Sequence, residues 1–172
     1  MTAPHKLIQG DKLPPIVLNL TDGSALRLPD ELPGRYLALI FFRGSWCPYC
    51  RRQLESYQQH LTELGELGVT VVAATVEPLD VARSLVEQLN LTYPMAYGVT
   101  DEDVAALDPW FGDDHHGHYV QPMELLVLRG GTIFGSIYAS GPVGRMGVDE
   151  VLNSVRGRER RRLEGASAPA TT

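Results

Sequence analysis

The chain has 172 residues, of which 44% are hydrophobic and 21% charged; 15 Lys and Arg stand against 21 Asp and Glu, a formal net charge of −6. That balance argues against general nucleic-acid binding, and the longest apolar run, Tyr36 to Phe42, is far shorter than the ~20 residues of a membrane-spanning helix. The cysteines are two, Cys47 and Cys50, too close in sequence to tie distant segments together, so a disulfide-stapled scaffold is excluded and the pair is chemical or metal-binding.

Taken in chain order, Leu13-Pro14-Pro15 is an extended entry, because each proline fixes φ and disfavours helix before it. Residues 16–20 and 25–28 read as strands joined by the turn Thr21-Asp22-Gly23-Ser24. Residues 36–42 are apolar throughout, which predicts a central strand buried on both faces. From Pro48 the period changes. Leu54, Tyr57, Leu61, Leu64 and Leu67 recur at three and four, predicting one amphipathic helix that ends near Gly65 or Gly68. Residues 69–75 read as a second buried strand, Pro78 opens a helix, 93–97 is a weaker strand, and 101–107 a short helix with an acidic first turn. Residues 108–119 read as a polar loop, 123–128 and 132–138 as a hairpin, and a last helix starts at Asp149. Strands alternating with helices imply an α/β fold with a layered sheet, helices on both faces and an antiparallel edge. One domain over residues 1–164 is expected, followed by a disordered tail over 165–172.

The chemistry concentrates at Trp46-Cys47-Pro48-Tyr49-Cys50, where a buried strand ends and a helix begins. Unpaired N–H groups at a helix start favour negative charge, so a cysteine there is more readily a thiolate. Pro48 suits the first helical turn. Cys47 is expected at the exposed edge of the turn and Cys50 one turn further in, more shielded. Such a pair permits attack by one thiolate on a peroxide oxygen or an oxidised sulfur, then resolution by the second thiol. Arg43, Arg51 and Arg52 flank it with positive charge.

This motif resembles the active site of the thioredoxin superfamily. The longer string Phe41-Phe-Arg-Gly-Ser-Trp-Cys-Pro-Tyr-Cys-Arg-Arg-Gln-Leu54, with Gly10-Asp11-Lys-Leu-Pro14 and the Asp22-Gly23 stretch, is similar to the peroxiredoxin-like branch, the alkyl hydroperoxide reductase/thiol-specific antioxidant proteins. The resemblance implies a thioredoxin fold with a central mixed sheet flanked by helices on both faces and an N-terminal β extension. It implies a thiol oxidoreductase cycling a Cys47–Cys50 disulfide, reducing hydroperoxides or, alternatively, exchanging protein disulfides; a redox sensor or binding module is the non-enzymatic alternative. It also assigns Pro122, in Gln121-Pro122-Met123, as a cis proline facing the cysteines. The peroxiredoxin pattern Pro-x-x-x-Thr/Ser-x-x-Cys is not reproduced: counted to Cys47 its places hold Ile40 and Gly44, and counted to Cys50 they hold Arg43 and Cys47.

Thioredoxins keep a buried Asp where this chain has Phe41, so a proton acceptor for Cys50 is sought elsewhere, and Glu124, two residues from Pro122 on the same strand face, is the candidate beside the plainer reading of a solvated carboxylate. Trp46 is read as shielding the sulfur. Arg145 is read as lying near the active face. Helix position favours Cys47 as the attacking thiolate and Cys50 as the resolving thiol; the peroxiredoxin motif count favours the reverse. Asp113, Asp114, His115, His116 and His118 supply metal-type donors, but such a run is more often a solvated loop. No metal and no organic cofactor are expected, since the cysteines carry the electrons. The partners expected are a dithiol electron donor such as a thioredoxin system, a hydroperoxide or protein disulfide as substrate, and a second copy in a homodimer. The N-terminus has no apolar signal stretch, so the expected location is cytoplasmic, with no membrane and no nucleic acid.

Overall fold

The computed structural model describes residues 3–167. β1 (Ile16–Leu20) alternates buried and exposed positions and turns back into β2 (Ala25–Leu28). In that turn Gly23 takes a left-handed φ of +94° and Asp22 Oδ1 accepts from Ser24 N at 2.8 Å. β3 (Tyr36–Phe41) is buried at every position. It leads through a short loop to α1 (Pro48–Gln59) and α2 (Leu61–Glu66). The single helix expected to run to Gly65 or Gly68 is therefore two. The break is at His60, whose ring Nδ1 contacts the Ser56 carbonyl at 2.9 Å while its own N–H donates to Tyr57 O at 3.2 Å. The ring occupies the Ser56 carbonyl that the N–H of His60 itself would have used in a continuous helix.

β4 (Val69–Ala74) is followed by α3 (Leu79–Leu89), opened by Pro78 and closed by Asn90 in the left-handed region. β5 (Met95–Tyr97) precedes α4 (Asp101–Val104), whose Thr100 and Asp103 form a capping box, and a 3₁₀ turn at Ala105–Leu107. The segment expected as a polar loop is instead a hairpin, β6 (Phe111–Asp114) and β7 (Gly117–Val120). Gly112 lies opposite Tyr119 in it, and a side chain at Gly112 would collide with the Tyr119 ring that covers it. β8 (Met123–Leu128), β9 (Ile133–Tyr138) and α5 (Val148–Ser167) complete the chain. α5 extends three residues into the segment expected as a tail; the remainder of that tail, 168–172, lies outside the described residues.

Seven strands form one mixed sheet in the order β2-β1-β5-β4-β3-β8-β9. β3 is parallel to β4 and antiparallel to β8, and β4 is parallel to β5. Successive residues of β3 therefore feed opposite faces. Ala38, Ile40 and Phe42 join a cluster with Leu54, Tyr57, Leu64, Leu85, Val151, Val155 and both cysteines. Leu37, Leu39 and Phe41 join the other, with Leu13, Leu18, Val104, Leu107 and Leu125. The result is the mixed sheet with helices on both faces and the N-terminal β extension that the sequence predicts. No helix among the described residues is long and apolar enough to cross a membrane.

Leu39 is fully buried between β4 and β8, so Leu39→Ala should lower the unfolding free energy by about 2–5 kcal/mol in urea titrations. Val17, 50% exposed on β1, is the contrast: Val17→Thr should stay within about 0.5 kcal/mol of wild type.

Candidate active site

The cysteines sit where β3 runs out. Phe42 N still bonds to Ala74 O at 3.1 Å, and the chain then crosses from the sheet to α1 through Arg43–Trp46. That crossing is anchored by one carboxylate. Glu77 accepts from Ser45 N at 2.7 Å and from Ser45 Oγ at 2.8 Å, while Arg51 donates to Ser45 O at 3.0 Å. The Trp46 indole lies directly over Gly44, where a side chain would collide with it. Cys47 is the N-cap of α1, in extended conformation, and Pro48 occupies the first turn as expected. Its sulfur takes the role of a capping oxygen, accepting from Cys50 N at 3.3 Å.

The two sulfurs are 2.6 Å apart as free cysteines, and both residues are fully buried. This corrects the expectation that Cys47 stands at an exposed edge. Two guanidinium groups lie against it, one of them from far along the chain. Arg145 Nη2 lies 3.2 Å from Cys50 Sγ and 3.5 Å from Cys47 Sγ, and Arg43 Nη1 lies 3.9 Å from Cys47 Sγ. The pair is polarised. The Cys50 thiol, donating to Cys47, does most to lower the Cys47 pKa, and Cys50 N, Arg145 and Arg43 add to it against the cost of burial; the value falls to about 5. Cys50 moves the opposite way, far up, because its proton is held in that hydrogen bond and its site is buried. Cys47 carries the charge and Cys50 the proton.

Trp46, beside Cys47 in the chain, receives the β6–β7 hairpin. Its ring is stacked on His116 at 3.7 Å and 8°, and meets Tyr119 edge-on at 4.9 Å. Arg43 packs 4.9 Å from the indole and donates to Tyr119 OH at 2.9 Å, and Tyr119 donates on to Asp114 Oδ2 at 2.8 Å. Asp114, Tyr119, Arg43 and Cys47 are thus one connected chain of polar contacts. Tyr119 was not signalled by any motif. The hint available was the Gly112–Tyr119 pairing, visible only if Phe111–Asp114 and Gly117–Val120 are read as strands. Arg51 and Arg52 do not touch the sulfurs: Arg51 holds the loop, and Arg52 lines a cleft of about 280 Å³ with Tyr49, Gln53, Tyr57, Arg145 and Met146.

Glu124 is 1% exposed on the cysteine-bearing face of β8, which rules out a solvated carboxylate. Burial pushes its pKa up to about 7. Its hydrogen bonds come from the Gln53 amide and from Met146 N at 2.7 Å, not from Cys50. Gln53 lies one helical turn beyond Cys50, and Met146 directly follows Arg145, so Glu124 ties the arginine loop to α1 beneath the sulfurs. Pro122 precedes β8 but is not cis: among the described residues the cis peptide is Leu28–Pro29. Gln121 N donates to Trp110 O at 2.8 Å and Pro122 O accepts from Ala139 N at 2.9 Å, so strand-type bonding from β6–β7 and from β8–β9 reaches the residues on either side of this peptide bond. Among the described residues no group of three or more potential metal ligands includes the cysteines; the one that exists is Asp114, His115 and His116.

A reduced dithiol on a strand-to-helix junction of such a sheet defines a thiol–disulfide redox protein of thioredoxin fold. The AhpC/TSA family model matches residues 9–132, and the chain belongs to that family. A putative peroxiredoxin of Mycobacterium tuberculosis is 26% identical over 64% of this chain and 68% of its own length. The thiol-disulfide oxidoreductase ResA of Halalkalibacterium halodurans is 25% identical over 86% of this chain and 77% of its own, whereas the ResA of Bacillus anthracis matches 54% of this chain and 53% of its own at 28% identity. In structure, the chain is similar to a peroxiredoxin-like protein from Aquifex aeolicus, with a TM-score of 0.75, 15% identity and 90% of each chain covered.

The thiolate band in the ultraviolet should titrate near the low value set by these contacts, and Arg145→Met should move its midpoint up by about 1 unit or more, since a cation within ~4 Å is worth that much. The raised Glu124 value makes a second test. A buried carboxyl raised to about 7 stabilises the fold while protonated; the contribution is complete below its ordinary 4.5 and lost as pH rises through 7. Glu124→Gln retains an acceptor for Met146 N and removes the titration. Its stability relative to wild type should therefore rise by roughly 3 kcal/mol between about pH 4.5 and about pH 8, read from urea midpoints at each pH.

Proposed function

We propose that the protein is a thiol-dependent peroxidase in which Cys47 is the attacking thiolate and Cys50 the resolving thiol. The observation that carries this reading is the pair of guanidinium groups on the Cys47 sulfur, together with the buried Arg43 Nε, Arg145 Nε and Arg145 Nη1, which have no hydrogen-bond partner among the described residues. Unpaired buried donors beside a thiolate suit the oxygens of a peroxide, whose leaving oxygen gains negative charge as the O–O bond breaks. The Cys47 thiolate attacks one oxygen; an S–O bond forms, the O–O bond breaks, and the other oxygen leaves as water or an alcohol after taking a proton. The Cys50 sulfur then attacks Cys47 Sγ, losing its proton, and expels the sulfenic oxygen as water. The Cys47–Cys50 disulfide is returned to the dithiol by an external dithiol donor such as a thioredoxin-type protein. The two-fold pairing and cytoplasmic location expected from the sequence belong to the same reading.

A second reading is dithiol–disulfide exchange with protein substrates. It is favoured by the sulfurs' proximity in a Cys-Pro-Tyr-Cys turn and by the ResA relatives. Peroxide consumption and insulin-disulfide reduction, measured side by side with a dithiol donor, separate the two. Peroxidase action predicts steady peroxide turnover, abolished in Cys47→Ser. In Cys50→Ser it predicts a single turnover that leaves a dimedone-reactive sulfenic acid on Cys47. Arg145→Met should lower kcat/KM for peroxide by about 100-fold, the scale of losing one well-placed donor to a developing oxyanion. Insulin reduction without peroxide consumption would replace this reading with the second.

A further inference from the structure

The tip of the β6–β7 hairpin is unused by the redox chemistry. Asp114, His115 and His116 are consecutive and exposed, and each offers a ligand atom within 4.8 Å of the others. Two of the three are already held in place. The Asp114 carboxylate accepts from His116 N at 2.8 Å and from Tyr119 OH at 2.8 Å, and its Oδ1 lies 3.2 Å from His116 Nδ1. The His116 ring lies flat on Trp46 at 3.7 Å, and the His115 ring is 3.9 Å from it. The β6–β7 ladder, with Asp114 opposite Gly117, closes the turn before any ion arrives, so little chain entropy is left to lose on binding.

We propose that this turn binds a first-row divalent cation of the zinc class, and that the bound ion keeps the hairpin closed over Cys47. Two imidazoles and one carboxylate suit zinc and its neighbours, whereas calcium and magnesium select all-oxygen sets. Three protein ligands leave the remaining coordination to water. An ion shared by His116 and Asp114 replaces their direct contact and fixes both. Both lead to Arg43 at the sulfur: Asp114 through Tyr119, and His116 through the Trp46 ring on which Arg43 also packs. Cys47 has no exposed surface, so a reagent reaches it only when the groups against the sulfur move; Arg43 is one of them, and an ion pinning the hairpin tip holds Arg43 through Tyr119 and slows that movement. The binding half of this inference is independent of the peroxidase reading; the access half requires only that Cys47 carries a reactive thiol.

Calorimetry with zinc ion on the full chain carrying Cys47→Ser and Cys50→Ser tests the site without thiolates to compete. One ion per chain is expected, with His115→Ala and His116→Phe each weakening binding by at least about 10-fold. His116→Phe retains an aromatic ring against Trp46 while deleting the ligand nitrogens and, with them, the Nδ1 contact to Asp114. His118→Ala, whose contacts are Asp113 and Asp101, should change affinity by less than that. No stoichiometric binding, or binding indifferent to both the His115 and His116 variants, overturns the site; an equal loss in His118→Ala overturns the three-residue assignment. Access is read by iodoacetamide alkylation of Cys47 in the Cys50→Ser chain. Zinc ion should slow it several-fold, and the slowing should disappear when His116→Phe is added. Equal slowing in both chains would place the ion on the sulfur, and no slowing in either would overturn the link between metal and access.

Discussion

Four donors from three residues converge on the sulfur of Cys47: the Cys50 thiol, Cys50 N at the start of α1, Arg145 and Arg43. A thiolate buried without them would be driven to its neutral form by the cost of losing water. The fold supplies them from separate parts of the chain. β3 delivers Cys47 to the edge of the sheet, α1 presents its first-turn N–H, and the segment before α5 brings Arg145 across from the far end of the sequence. The Cys50 groups come with the cysteine motif; the two guanidinium groups do not.

The site is consequently an arrangement of tethers. Glu77 fixes the crossing loop through Ser45, and Glu124 fixes the Arg145 segment through Met146 N and Gln53. Both carboxylates act on backbone, hydroxyl or amide groups and not on sulfur. A buried Glu124 is costly in its charged form, and a raised pKa is the expression of that cost. The structure retains it because the Met146 N–H would otherwise be buried without a partner. The hairpin supplies the last tether, with Tyr119 orienting Arg43 and packing edge-on against Trp46.

Much of the sheet was legible in the residues. β3 and β4 announce themselves as uninterrupted apolar strands, and the change of period at Pro48 places the start of α1 and hence the cysteines. What escaped periodicity was set by side chains acting at a distance. His60 breaks the α1–α2 run by capturing a carbonyl with its ring, a choice that a hydrophobic repeat does not encode. β6 and β7, with sequences FGDD and GHYV, have little apolar alternation. They hold together through Tyr119 packed over Gly112 and through rings stacked on Trp46. Arg145 lies against Cys47 from 98 residues away, and no local pattern around residue 47 could show that. Glu124 was picked out by strand alternation on the correct face; its partners became clear only with Gln53 and Met146 beside it.

The central claim is that charge rests on Cys47 and the proton on Cys50. A brief pulse of isotope-labelled iodoacetamide on the reduced wild-type chain near pH 6, quenched and mapped by peptide mass spectrometry, reads it directly. Label on Cys47 with Cys50 nearly untouched is the predicted result. Label shared equally, or found first on Cys50, would contradict it.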